Sequence, residues 1–282
     1  MDINGTLLAK KFRDNLKLKI ETQRAKPSLA FVLVGEDPPS QSYVRMKGKA
    51  CAEACIHSIK IELGSEVSEA SLLEVIEKLN HDDAIDGILV QMPLPKHINE
   101  QKILLSIDPN KDVDGFHPIN VGKMMTGDPN AIIPCTPLAV LKILEAYEVE
   151  TTGKHVVVLG RSNIVGRPLA NLLCQKRAQG NATVTLAHSL TKDLPSLTKQ
   201  ADIVIAALGK ANFITKEFIK PGAVVIDVGI NRVENQIVGD VDYSSVNPLA
   251  SLITPVPGGV GPMTIAMLLE NTYTLFKNRT FA

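Results

Sequence analysis

Apolar residues along this chain fall into two kinds of pattern, short unbroken runs closed by glycine and stripes that repeat every three to four residues. Unbroken runs predict strands covered on both faces, and stripes predict helices packed against them. MDINGTLLAKKFRDNLKLKI opens the chain as an amphipathic helix with charges throughout. Ser28 to Gly35 reads as a buried strand, His57 to Leu63 as an alternating one and Ile85 to Gln91 as a third. Helical stripes from Tyr43 to Cys55 and from Glu69 to Leu79 lie between them, which makes a β-α-β-α-β unit. MPLP and IDPNKDVDGFHPINVGKMMTGD hold too much Pro, Gly and Asp for regular structure, and long loops in compact domains are usually functional or disordered.

The alternation then resumes. A helix over Pro137 to Tyr147 leads to a strand at His155, and further strands are predicted at Ala182 to Ala187, Ala201 to Leu208 and Ala223 to Val228, with helical stretches between. PVPGGVGPMT breaks the chain before a last helix, Ile265 to Phe276, which returns to the first lobe. The fold class is therefore α/β, two α/β lobes of which the second is a Rossmann-like doubly wound sheet. The boundaries expected are 1–136 joined by 263–282 for one domain and 137–262 for the other.

Within the second lobe, HVVVLGRSNIVGRPLANLL is a strand, a glycine turn and a helix in succession. Unpaired N–H groups at such a helix start, next to the positive end of its dipole, suit a phosphate. The spacing from Gly160 to Gly166 is G-x-S-x-x-x-G rather than G-x-G-x-x-G, so Ser162 stands where a glycine is usual, and a plain strand-to-helix turn would look the same. The next strand ends in Ala187-His188-Ser189, without the carboxylate that takes a ribose hydroxyl in NAD-binding sheets. Arg161 and Ser189 can instead take a 2′-phosphate, which favours NADP; the competing reading of Arg161 is a solvated surface residue.

Charge narrows the function classes. In 282 residues Lys and Arg total 30 and Asp and Glu total 30, so no broad electrostatic case exists for nucleic acid or an anionic membrane. No apolar run approaches a membrane span, which leads to the expectation of a soluble, cytoplasmic protein. Cys51, Cys55, Cys135 and Cys174 form no CxxC pair and read as buried reduced thiols, and no metal site is implied. Tyr43 and Lys47 lie one helical turn apart on one face: either a ring and an acid/base presented to a heteroaromatic ligand, or a core tyrosine beside a solvated lysine. DVDG, with Asp112 and Asp114, has too few acids for a calcium loop and reads otherwise as an acidic turn.

YVRMKGKAC, DGILVQMPLP, NKDVDGFHP, GRSNIVGRP, VVIDVGIN and TPVPGGVGPMT, in this order over nearly the whole chain, resemble the bifunctional methylenetetrahydrofolate dehydrogenase/methenyltetrahydrofolate cyclohydrolase family. The resemblance implies NADP-dependent oxidation of 5,10-methylenetetrahydrofolate and hydrolysis of the methenyl product to 10-formyltetrahydrofolate, in one site in a cleft between the lobes. It implies that Tyr43 stacks on the folate, that Lys47 is the acid/base of the hydrolysis and that Gln91 orients Lys47. It places Val90 and Met92 on the substrate through their backbones and Asp114 on the pterin N–H groups, while Asp112 beside it reads as structural. It sets the backbone of Pro257, Gly258, Gly259, Val260 and Gly261 against the folate and Ile230 against the nicotinamide end of the cofactor, which joins Gly160, Arg161, Ser162 and Ser189 as the candidate cofactor-binding residues. A homodimer through the nucleotide lobe is implied as well. Outside the resemblance, a two-lobed dehydrogenase without the hydrolase and a non-catalytic nucleotide-binding module remain the alternatives.

Overall fold

Parallel strands buried on both faces organise each of the two units into which the chain divides. The computed structural model describes residues 1–234 and 236–280. One unit is Lys11–Cys135 with Ile265–Ala282, and the other is Met1–Lys10 with Thr136–Thr264. Residues 281 and 282, included in the terminal segment expected from sequence, lie outside the described residues.

The first unit holds most of α1 (Gly5–Glu21), then β1 (Ser28–Val34), α2 (Pro38–Glu53), β2 (His57–Leu63), α3 (Glu69–Asn80) and β3 (Gly87–Val90). Its three-stranded sheet runs β2-β1-β3 and is parallel throughout. Every residue of β1 and β3 is buried, whereas β2 alternates along an edge. Ala30, Val32, Ile88 and Val90 pack on Leu72 and Ile76 of α3, which removes the continuous apolar runs from water.

One correction falls in the stretch expected to be irregular. It contains α5 (Pro118–Thr126), and α4 (Glu100–Ser106) precedes it. Asn99 Oδ1 accepts the Lys102 N–H and His117 Nδ1 accepts the Ile119 N–H, with Pro118 in the first turn of α5. Caps and first turns use the same Asn, Asp and Pro that loops use, so composition alone misreads them.

The second unit contains α6 (Cys135–Ala146), less its first residue, then β4 (His155–Leu159), α7 (Gly166–Cys174), β5 (Thr183–Ala187), α8 (Leu194–Thr198), β6 (Ile203–Ala206) and β7 (Val224–Asp227). A small hairpin, β8 (Asn231–Val233) and β9 (Gln236–Val238), then α9 (Tyr243–Val246), β10 (Leu252–Ile253) and the start of α10 (Val260–Thr280) complete it. Its five-stranded sheet has the order β10-β7-β6-β4-β5 with every pair parallel, a doubly wound arrangement whose order reverses between β4 and β6.

The first ten residues belong to this five-stranded unit, not to the first domain as expected. The Met1 ammonium donates to Ser251 O, the Ile3 N–H to Ile253 O and the Thr6 N–H to Gly258 O. Satisfying the open edge of β10 drives that pairing. The last helix also starts earlier than predicted, at Val260, because Pro262 falls in its first turn, where no intrahelical N–H is needed. From Ile265 onward that helix belongs to the three-stranded unit, the return expected from sequence. The cysteines are unpaired as expected, but only Cys51 and Cys135 are buried; Cys174 is exposed.

Candidate active site

Lys47 stands on α2, whose start is fixed by Asp37: its carboxylate accepts the Ser40 N–H at 2.9 Å and the Ser40 hydroxyl at 2.7 Å. Val44 and Cys51 turn inward while Tyr43, one turn before Lys47, is 37% exposed, so the ring presents a face rather than filling the core. Gln91 follows β3 at its carboxyl end, and its N–H continues the ladder to Val32 O. Its side-chain amide donates to Met92 O at 2.7 Å, which turns Oε1 toward Lys47 and receives the ammonium at 3.0 Å. Met92 therefore aims Gln91, and Gln91 aims Lys47. Val90 is buried and Met92 half-buried.

Asp112 and Asp114, two residues apart, have opposite fates. Residues 111–112 run beside β3, with the Ile88 N–H donating to Lys111 O. The Asp112 carboxylate is filled by the N–H groups of Gly115 and His117 and by the Asn120 amide, at 2.8–3.0 Å. It is a loop staple. The Asp114 carboxyl meets only the Cys135 thiol, at 4.0 Å, among the contacts described. Burial pushes its pKa up to about 6; the Lys47 ammonium works against that shift and the Asp112 charge adds to it. Asp114 and Lys47 are thus electrostatic neighbours in the three-stranded unit.

Two supporting residues were invisible to sequence pattern. The Asn271 amide, buried on α10, donates to Val113 O and Ile133 O at 2.9 Å each and lies 3.7 Å from Cys135 Sγ. It clamps the chain on one side of Asp114 to the segment that carries Cys135. Burial, then the Asp114 charge, raises the Cys135 thiol well above its ordinary range, so Cys135 contributes a neutral S–H to Val113 O.

In the five-stranded unit, Gly160 leaves β4 with φ of 121°, and a Cβ there would lie 2.0 Å from Ala207 O, so no other residue fits. This turn is at the point where strand order reverses. Leu159 pairs with Ala187, and the Gly160 N–H donates to Ala187 O, so Arg161 and Ser189 each follow by two residues a pair of adjacent strand ends. Both side chains are exposed. Ile230, 55% exposed, stands beyond β7.

One expectation for this loop is corrected. The N–H groups at the start of α7 are not all open: those of Val165 and Gly166 donate to Ser162 Oγ, and that of Arg167 to Ser162 O. The N-cap residue is Val165, whose side chain cannot cap, and Ser162 Oγ accepts from the turn that leads into the helix while retaining its own O–H to donate. The Pro257–Gly261 segment belongs to the five-stranded unit, with Gly258 O accepting from Thr6. Among the described residues no group of three or more His, Cys, Asp or Glu is placed to hold a metal, and no helix is long and apolar enough to cross a membrane.

Comparison with known proteins supplies the context. Bifunctional protein FolD of Prosthecochloris aestuarii is 54% identical over 98% of this chain and 98% of its own. The crystal structure of the bifunctional FolD methylenetetrahydrofolate dehydrogenase/cyclohydrolase of Campylobacter jejuni superposes with a TM-score of 0.95 at 49% identity, covering 99% of each chain. The Trypanosoma brucei methylenetetrahydrofolate dehydrogenase-cyclohydrolase, complexed with NADP cofactor and inhibitor, gives 0.93 at 39% identity over 100% of this chain and 99% of that one. Residues 3–114 match the tetrahydrofolate dehydrogenase/cyclohydrolase catalytic domain and 134–280 the NAD(P)-binding domain of the same family. With both domains present and the relatives matched end to end, the chain belongs to the tetrahydrofolate dehydrogenase/cyclohydrolase family.

Proposed function

We propose that Lys47, aimed by Gln91 and set beside Asp114, is the acid/base of a bifunctional enzyme that oxidises 5,10-methylenetetrahydrofolate and then hydrolyses the methenyl product to 10-formyltetrahydrofolate. The observation that carries this reading is the Met92–Gln91–Lys47 relay, which places an oriented amine at the carboxyl end of a buried parallel sheet. NADP is the cofactor, and when bound it takes the hydride that leaves the methylene carbon. Tyr43 supplies an exposed ring for the pterin to stack on, and the Asp114 carboxylate accepts from pterin N–H groups. Val90 and Met92 offer backbone groups to the folate, and the Pro257–Gly261 backbone is assigned to it on the resemblance.

Hydrolysis makes the heavier demand on side-chain chemistry. Water adds to the cationic methenyl carbon and gives up one proton to solvent; the remaining hydroxyl then loses its proton as the bond from that carbon to N5 breaks, and that second proton is delivered to N5, which leaves a neutral formyl group on N10. Lys47 is the group placed to hold and return that proton. In the oxidation its work is positional, since hydride transfer chiefly needs the reacting rings in register.

A homodimer through the five-stranded unit, in the cytoplasm, belongs to the same reading. Its support is that β5 is an edge strand, pairing only with β4, and edges invite pairing. Light scattering at micromolar protein is expected to give twice the chain mass; the mass of one chain removes the dimer.

Lys47→Met keeps the length and loses the amine. It is expected to lower cyclohydrolase activity at least ~100-fold, the usual worth of a general acid/base, and the dehydrogenase less. Decay of methenyltetrahydrofolate absorbance, corrected for spontaneous hydrolysis and set beside NADPH formation, reads both. Hydrolysis near the wild-type rate would show that another group carries the proton.

Asp114 must be ionised to accept two N–H groups, and its carboxyl is raised to about 6. Folate affinity is therefore present above that pH and lost as pH falls through it. The KM for methylenetetrahydrofolate should rise on the acid side with a break near this value, and Asp114→Asn should lack the break. The same break in Asp114→Asn would assign it elsewhere.

Arg161→Ala removes a charge-assisted contact worth roughly 1.5–3 kcal/mol, about ten- to a hundred-fold in NADP affinity, and should leave NAD almost unchanged. The ratio of kcat/KM with the two cofactors measures it. An unchanged ratio would move the 2′-phosphate away from Arg161.

A further inference from the structure

Asp240 carries a carboxylate that is 0% exposed and makes no salt bridge among the described residues. Its Oδ2 accepts the N–H groups of Leu208 and Gly209, at 2.6 and 3.0 Å. Its Oδ1 accepts the Lys210 N–H at 2.8 Å and the Asn231 amide at 2.9 Å. Four donors thus converge on one buried charge. Only a carboxylate has two oxygens to meet them; an amide of the same shape would turn its own N–H groups toward two of these donors.

The place of this carboxylate in the sheet gives the arrangement a use. Leu208–Lys210 follow β6 at its carboxyl end, directly after Ala207, whose carbonyl lies against Gly160. Asn231 follows β7 by way of Gly229 and Ile230. A Cβ on Gly229 would stand 2.3 Å from Asp240 Oδ1, so the carboxylate is seated against the backbone one residue before Ile230. Asp240 is itself held from behind: its N–H donates to Asp227 Oδ1, which also receives the Gly229 N–H, while Asp227 Oδ2 receives Val241. One side chain therefore ties together the two loops that leave the sheet next to the point of strand-order reversal, where doubly wound sheets bind their ligands.

We propose that Asp240 is a positioning residue for the cofactor, its buried carboxylate fixing the Leu208–Lys210 turn and the Ile230–Asn231 corner that border the dinucleotide site. The inference rests on the reading of the Gly160 turn as that site. Asp240 touches neither cofactor nor reacting atoms; it acts by presenting the two loops in a single shape. A purely structural role would instead weaken everything the molecule does.

The two activities of the enzyme separate these cases within one protein. For Asp240→Asn, loss of charge-assisted hydrogen bonds is expected to raise the KM for NADP at least about tenfold, with the cyclohydrolase rate, assayed without NADP, falling by less than about twofold. Asn231→Ala removes one donor from the half-buried rim and should raise the same KM more modestly, which keeps the proposal testable if Asp240→Asn does not fold. Arg161→Ala, measured alongside by direct NADP titration, tests the site reading itself. Weakened NADP binding in Arg161→Ala with unchanged KM in the Asp240 and Asn231 variants would overturn the role of Asp240 alone. Equal loss of both activities in Asn231→Ala would overturn it too, and unchanged titration in Arg161→Ala would overturn the site reading beneath it.

Discussion

A parallel strand buried on both faces leaves its chemistry nowhere to go but its ends. β1, β3, β4, β6 and β7 are such strands, apart from a half-buried first residue in β4, and the candidate site residues follow them at the carboxyl side: Gln91 after β3, Gly160 and Arg161 after β4, Ala207 to Lys210 after β6, Ile230 after β7. Both units obey the constraint separately. The sheets supply fixed backbone positions from which short polar loops can aim single atoms.

The same constraint explains what could be read without coordinates. Continuous apolar runs announce buried strands, so β1, β3, β4, β6 and β7 were legible within a few residues. The Tyr43–Lys47 spacing was legible as one helix face, though which face met solvent was not. Pairing between Met1–Ile3 and Ile253 depends on an edge that exists only after folding, and no local pattern carries it. The clamp of Asn271 on Val113 and Ile133 escaped for the same reason: an asparagine on a C-terminal helix resembles any polar surface position until its carbonyl partners are known. Ser162 was read as standing where a glycine is usual, whereas its hydroxyl oxygen accepts the N–H groups of Val165 and Gly166 at the entry to α7.

Asp112 and Asp114 show why residue type underdetermines role. Both are acids of one turn, yet Asp112 spends its oxygens on three N–H donors and Asp114 is left with a distant thiol. A saturated carboxylate is structural. One raised to about 6 by burial and poor in partners is available to a ligand that brings its own donors.

The partner chosen for Lys47 completes the logic. A carboxylate at the position of Gln91 Oε1 would orient the amine equally well, but it would place a full negative charge beside it. An amide oxygen at 3.0 Å supplies direction with only a dipole, and Met92 O prevents that amide from turning its N–H groups toward the lysine. The acid beside Lys47, Asp114, is raised to about 6 by burial and makes no close hydrogen bond among the contacts described, so its lone pairs are open to donors other than the amine. Geometry is held by a neutral contact. The Lys47 amine is thus given a direction by backbone and amide groups alone.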